Sequence, residues 1–110
     1  QELGTILHYS IPVKIILLNN SFLGMVRQWQ DMFFDKRYAS TELVNPDFQA
    51  IARGYNIQSR LVSERADLKE AITEMLDCAG PYLLEVRIDK EANVMPMVEP
   101  GSSVSEIRLV

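Results

Sequence analysis

The stretch Val13-Lys14-Ile15-Ile16-Leu17-Leu18, followed at once by Asn19-Asn20-Ser21, decides the fold. It is rich in β-branched residues and apolar at almost every position instead of alternating, the pattern of a strand covered on both faces of a parallel sheet. The polar cluster Asn19-Asn20-Ser21 has strong turn preference and stops the strand. Upstream, Leu3, Ile6 and Leu7 recur at helical spacing, which predicts a helix near 2–10, ahead of Pro12. Downstream of Gly24, Met25, Trp29, Met32 and Phe33 fall at i, i+4, i+7 and i+8, which predicts a helix near 24–34. A polar, loop-like stretch follows, locally basic at Lys36-Arg37.

Asn45-Pro46 reads as a helix start, with Asn45 as N-cap and Pro46 at the first helical position. Phe48, Ile51 and Ala52 give that helix, near 46–53, its apolar face, and Gly54 ends it. A short strand is expected over 57–62 and an amphipathic helix over 65–78, where Leu68, Ala71, Ile72, Met75 and Leu76 share a face. Gly80-Pro81 breaks that helix, and 82–88 reads as the last strand. The tail from Asp89 is rich in Pro, Gly and Ser, with a short strand expected near 105–109. Strands separated by helices imply right-handed crossovers, hence an α/β fold: a mostly parallel sheet with helices on both faces. No repeat, low-complexity tract or second domain stands out.

Composition narrows the function classes. The 110 residues are 47% hydrophobic and 24% charged, enough apolar content for a core. Lys and Arg total 11 against 15 Asp and Glu, and the net charge of −4 argues against nucleic-acid and anionic-membrane binding, which need a basic face. A single Cys (Cys78) excludes an internal disulfide and a Cys-built zinc cage, and a single His (His8) excludes a multi-His metal site. The run Ile15–Leu18 falls far short of the roughly 18 residues that a membrane span needs. Gln1-Glu2-Leu3 does not open a signal peptide, being neither basic nor followed by a long apolar run. The chain opens inside a helical pattern, as if cut from something larger.

Ligands in open α/β sheets bind beyond the carboxyl ends of the strands, and Asn19-Asn20 lies at such an end. Two adjacent Asn residues offer uncharged carbonyl oxygens suited to a hard cation such as Mg²⁺. By spacing alone a turn explains them better than a ligand pair does. By periodicity alone a core stripe explains Met25 and Trp29 better than a site does, and Met32 and Phe33 are packing residues. His8 reads as a solvated surface residue, Cys78 as an inert thiol at a helix end, and Ser102-Ser103 lack a nucleophile elbow.

Asn19-Asn20 followed by Leu23-Gly24-Met25-Val26-Arg27-Gln28-Trp29-Gln30 resembles the thiamine-diphosphate enzymes and, within them, the large catalytic subunits of acetohydroxyacid (acetolactate) synthase. Gln1-Glu2-Leu3, Pro12-Val13-Lys14-Ile15, Arg37-Tyr38, Asn45-Pro46-Asp47-Phe48, Gly80-Pro81 and Pro96-Met97-Val98 continue the likeness over nearly the whole chain. The family's cofactor motif opens with Gly-Asp-Gly or a variant and closes with Asn-Asn. The closing pair is present, but the 18 residues before Asn19 are too few for the opening, which is expected upstream of Gln1.

The resemblance implies that residues 1–110 are the C-terminal part of a thiamine-diphosphate-binding domain, with a less regular tail over 89–110. It implies that Asn20 supplies a side-chain ligand to Mg²⁺ and Phe22 a backbone carbonyl ligand, both also serving cofactor binding. It places Met25 against cofactor and substrate, and Trp29 against the second 2-oxoacid, where it favours 2-oxobutanoate over pyruvate. The implied reaction decarboxylates pyruvate and joins what remains to a second 2-oxoacid, the first common step of branched-chain amino-acid synthesis. The activating Glu lies outside this chain, and FAD is implied mostly on the missing middle region. Implied partners are 2-oxoacids, further copies in a homo-oligomer and a small regulatory subunit, with no nucleic acid and no membrane. The implied location is cytoplasmic, or plastid in a plant. The chain alone is expected to be inactive. Because the family's first strand is absent, one sheet edge is expected to lack its neighbour, giving self-association or an exposed apolar patch. The alternatives are another thiamine-diphosphate carboligase, decarboxylase or oxidase, and a non-enzymatic α/β binding module.

Overall fold

The structure, a computed structural model, describes residues 1–109. In chain order the elements are α1 (Glu2–Tyr9), β1 (Lys14–Asn19), α2 (Gly24–Phe33), α3 (Phe48–Gly54), β2 (Gln58–Val62), α4 (Leu68–Asp77), β3 (Tyr82–Arg87), β4 (Met97–Val98) and β5 (Ile107–Arg108). A 3-10 turn, Arg65–Asp67, leads into α4. The chain folds as two compact units, Gln1–Asn20 with Val44–Ile88, and Ser21–Leu43 with the segment from Asp89.

The first unit is a parallel sheet in the order β1-β3-β2. Side chains alternate across a strand, so central β3 feeds both faces. Tyr82 and Leu84 pack with Val62 of β2 and with Ala71 and Met75 of α4 on one face. Leu83 packs with Ile6 of α1, Ala52 of α3 and Ile57 on the other. The expected α/β layering, with helices on both faces, is therefore present. The apolar strand β1 is an edge: Ile15 packs under α1 and α3, whereas Ile16 and Leu18 on its opposite face are exposed. This is the bare apolar edge that the sequence led one to expect.

Two helix ends differ from expectation. The N-cap of α3 is Asp47, whose Oδ1 accepts from the Ala50 amide at 2.8 Å, and not Asn45. Asn and Asp cap equally well, so Asn-Pro-Asp offers two starts, and Asn45 is engaged elsewhere. The helix ends at Gly54, as expected, but the left-handed residue that closes it is Asn56, two positions on: Asn56 adopts φ 53°, its amide donates to Arg53 O at 3.0 Å, and the Ile57 amide donates to Ala52 O at 2.9 Å. Asn tolerates the left-handed conformation, and the arrangement delivers Ile57 into the core. Helix α1 closes in the same way at Ser10, φ 51°, with the Ile11 amide donating to Ile6 O at 3.1 Å.

At the amino end of the sheet, Lys14 Nζ donates to the carbonyls of Cys78 and Gly80, tying β1 to the turn between α4 and β3. The buried Tyr82 hydroxyl donates to Glu74 Oε1 at 2.7 Å, while Arg60 of β2 pairs with Glu74 Oε2 at 2.7 Å. Burial, and then the bond to Glu74, push the Tyr82 phenol up to about 12. Cys78 is half-buried and His8 exposed, as expected.

The second unit is built around α2. Phe22 pairs with Glu42 in an isolated antiparallel bridge, and the tail carries the two-residue antiparallel pair β4–β5, with β5 inside the stretch where a strand was expected. Glu99 and Arg108 form an ion pair at 2.8 Å across that pair.

Candidate functional site

Asn19 ends β1 at the carboxyl edge of the sheet, opposite Arg87 of β3. Its side chain is held from both sides. Asn19 Nδ2 donates to Glu85 Oε1 at 2.6 Å, and Asn19 Oδ1 accepts from Asn45 Nδ2 at 2.9 Å. Its backbone oxygen accepts from the Ile88 amide at 3.1 Å. The second Glu85 oxygen accepts from Gln49 Nε2 at 2.8 Å. Glu85 is only 5% exposed, and both of its oxygens are met by neutral amides of side chains distant in sequence. A buried carboxylate is tolerated when its lone pairs are filled in this way. Asn20, the second residue of the pair, is half-buried and follows the last residue of the strand.

Ser21 then takes φ 57°, a left-handed conformation. In the bridge that follows, the Leu23 amide donates to Thr41 O at 2.8 Å and the Leu43 amide to Ser21 O at 2.8 Å. The pairing is therefore of the kind whose hydrogen bonds come from the flanking residues.

Helix α2 inverts the usual rule. Its most buried side chains are polar, Arg27 at 5% and Gln28 at 2% exposure, while Met25 is 53% and Trp29 41% exposed. Arg27 lies over the Tyr38 ring at 4.5 Å and the Phe22 ring at 5.3 Å, and donates to Lys90 O at 3.1 Å and Glu91 Oε1 at 2.7 Å. Gln28 clamps the Val94 backbone: Nε2 donates to Val94 O at 3.0 Å and the Val94 amide donates to Oε1 at 2.8 Å. Trp29 makes an edge-to-face contact with half-buried Phe33, with centroids 5.9 Å apart. The helix is thus held by its polar residues, and the Met25–Trp29 turn is left facing outward.

Asn19 and Asn20 are placed in the first unit, and Phe22, Met25 and Trp29 in the second. In the sequence alone Glu85 and Gln49 had no role, and Arg27 and Gln28 had none beyond their place in the motif that carries the resemblance. Among the described residues no group of three or more His, Cys, Asp or Glu could hold a metal ion. A carboxamide oxygen such as that of Asn20 is a hard, uncharged donor of the kind that Mg²⁺ takes. No helix among the described residues is long and apolar enough to cross a membrane. A cavity of about 200 Å³ opens at the carboxyl ends of β2 and β3, near Arg65 and Arg87, and no sequence-predicted site residue lines it.

Residues 1–86 match the family described as thiamine pyrophosphate enzyme, C-terminal TPP binding domain. The chain is 47% identical over 108 residues to the acetolactate synthase isozyme 2 large subunit of Escherichia coli (strain K12), covering 97% of this chain and 20% of that protein. It is 45% identical over 105 residues to the mitochondrial acetolactate synthase catalytic subunit of Aspergillus candidus, covering 96% and 15%. It is 40% identical over 109 residues to the acetolactate synthase large subunit of Pyropia yezoensis, covering 97% and 18%. This chain therefore spans a fifth or less of these relatives' length. Among solved structures, the thiamine diphosphate-dependent 4-hydroxybenzoylformate decarboxylase of Rhodococcus jostii RHA1 matches with a TM-score of 0.69 and 30% identity over 79% of this chain and 16% of that one.

Proposed function

Since the chain belongs to the thiamine pyrophosphate enzymes, matching their C-terminal cofactor-binding domain, we propose that residues 1–110 serve as that part of an acetolactate synthase large subunit. The observation that carries this reading is the inverted helix α2. A helix that buries Arg27 and Gln28 and presents Met25 and Trp29 is built to offer an apolar surface to something else, as a pocket wall must.

In this reading Asn20 and the Phe22 carbonyl would supply two of the oxygens that hold Mg²⁺, and Mg²⁺ would neutralise the charge of the cofactor's diphosphate; a carboxylate ligand is expected from outside this sequence, which contains no Gly-Asp-Gly. Thiamine diphosphate supplies the electron sink that lets pyruvate lose carbon dioxide. Met25 packs against cofactor and substrate. Trp29, one helical turn later, shapes the space for the acceptor 2-oxoacid, pyruvate or 2-oxobutanoate, and excludes water that would divert the reaction. FAD, the activating Glu, a homo-oligomer, a regulatory subunit and a cytoplasmic or plastid setting belong to the same proposal.

The second reading is a decarboxylase of the kind found among the solved relatives. The two separate by product. A full-length synthase carrying this chain as its C-terminal segment, given pyruvate, thiamine diphosphate and Mg²⁺, should form 2-acetolactate and carbon dioxide. Acetaldehyde as the main product would overturn the synthase reading.

A further inference from the structure

Asn19 is locked. A carboxylate only accepts, so Glu85 Oε1 obliges the Asn19 amide to turn its Nδ2 that way, at 2.6 Å. That leaves Oδ1 toward Asn45, whose Nδ2 donates at 2.9 Å. Rotating the Asn19 amide by half a turn would set oxygen against carboxylate and donor against donor, so one orientation is selected. Glu85 is fixed in turn: it sits on the central strand, 5% exposed, and its second oxygen accepts from Gln49 of α3 at 2.8 Å.

We infer that Glu85 is a positioning residue for the metal site: acting through Asn19, it fixes the end of β1 so that the next residue, Asn20, presents its carboxamide oxygen in one place. The inference rests on the reading of Asn20 as a Mg²⁺ ligand and deepens it. Mg²⁺ demands near-ideal octahedral geometry at about 2.0–2.1 Å, so a ligand on a loosened turn binds it poorly. Partners one layer out from a metal ligand typically contribute about 10–100-fold to affinity. Nothing in the sequence signals this role, since Glu85 lies 66 residues from Asn19 and 36 from Gln49.

The test uses a full-length synthase carrying this chain and measures Mg²⁺ affinity by calorimetry at saturating thiamine diphosphate. The electron paramagnetic resonance spectrum of Mn²⁺ in the same site gives a second readout, which a purely structural role would not move. Glu85→Ala should weaken Mg²⁺ binding by about 10–100-fold and broaden the Mn²⁺ signal. Glu85→Gln should recover most of the affinity, because its oxygen still accepts from Asn19 and the Gln49 amide can turn to accept from the new donor. Asn45→Ala, which removes the other anchor of Asn19, should weaken binding in the same direction. It also serves as the deciding variant if Glu85→Ala does not fold.

Asn20→Ala separates the two levels of the argument. If Asn20→Ala abolishes metal binding while Glu85→Ala, or Asn45→Ala in its place, binds Mg²⁺ as the parent does, the positioning role is overturned and the ligand reading stands. If Asn20→Ala binds Mg²⁺ as the parent does, the ligand reading fails and this inference falls with it.

Discussion

Replacing Trp29 by Leu in a full-length synthase carrying this chain should alter acceptor choice far more than stability. Trp29 is 41% exposed, and its ring contact is the edge-to-face one with Phe33 at 5.9 Å. Losing one aromatic pair costs about 0.5–1.5 kcal/mol, and the exposed position places the loss toward the lower end of that range. Shape changes in an apolar pocket alter discrimination between acceptors that differ by a methylene by about 1–3 kcal/mol, or roughly 10–200-fold. The assay is a competition between pyruvate and 2-oxobutanoate, with 2-acetolactate and 2-aceto-2-hydroxybutanoate quantified together and carbon dioxide release followed separately. The product ratio should fall toward 2-acetolactate by at least about 10-fold, with carbon dioxide release from pyruvate largely retained. An unchanged product ratio in a folded variant would refute the role given to Trp29. A collapse of stability in step with activity would show that the side chain is a packing residue after all.

Three further outcomes follow from the same geometry. Gln28→Ala removes both side-chain bonds to the Val94 backbone, each worth about 0.5–1.5 kcal/mol, and should reduce the hydrogen-exchange protection of the Val94 amide; unchanged protection would contradict the clamp. Tyr82 titrates near 10 when unfolded and near 12 when folded, so the folded state holds that proton more tightly. Its contribution is whole below pH 10 and is lost as pH rises toward 12, so the parent should lose on the order of 1–3 kcal/mol relative to Tyr82→Phe across that window; parallel pH profiles would contradict this. The 110-residue chain by itself should give no calorimetric signal with Mg²⁺ and micromolar thiamine diphosphate, because two neutral oxygens do not hold Mg²⁺ without a carboxylate, and a clear signal would show a more complete site.

The layering of the sheet was legible because it depends on periodicity. Continuous apolar runs at β1 and β3, set between helical patterns, leave few arrangements other than a parallel sheet with helices on both faces. Local signals were degenerate wherever two residues could do one job. Asn45 and Asp47 are both capping types, and the chain uses Asp47 for the cap and Asn45 to hold Asn19. Gly54 marks the end of α3, but the left-handed turn that closes it falls on Asn56, just before the buried Ile57. In α2 the periodicity of Met25, Trp29, Met32 and Phe33 was real, but periodicity does not say which face is inside. The guanidinium of Arg27 and the amide of Gln28 find partners at Lys90, Glu91 and Val94, more than 60 positions along the chain, and these distant bonds reverse the expected burial. Glu85 was invisible for the same reason: within Leu83-Leu84-Glu85-Val86 it reads as one more strand residue, and its meaning lies in Asn19 and Gln49.

The most direct measurement is a crystal structure of a full-length synthase carrying this chain, with Mg²⁺ and thiamine diphosphate bound. The account predicts the metal about 2.1 Å from both Asn20 Oδ1 and the Phe22 carbonyl oxygen, with Met25 against the cofactor and Asn19 still bonded to Glu85. A metal held elsewhere, with Asn20 turned away from the diphosphate, would contradict it.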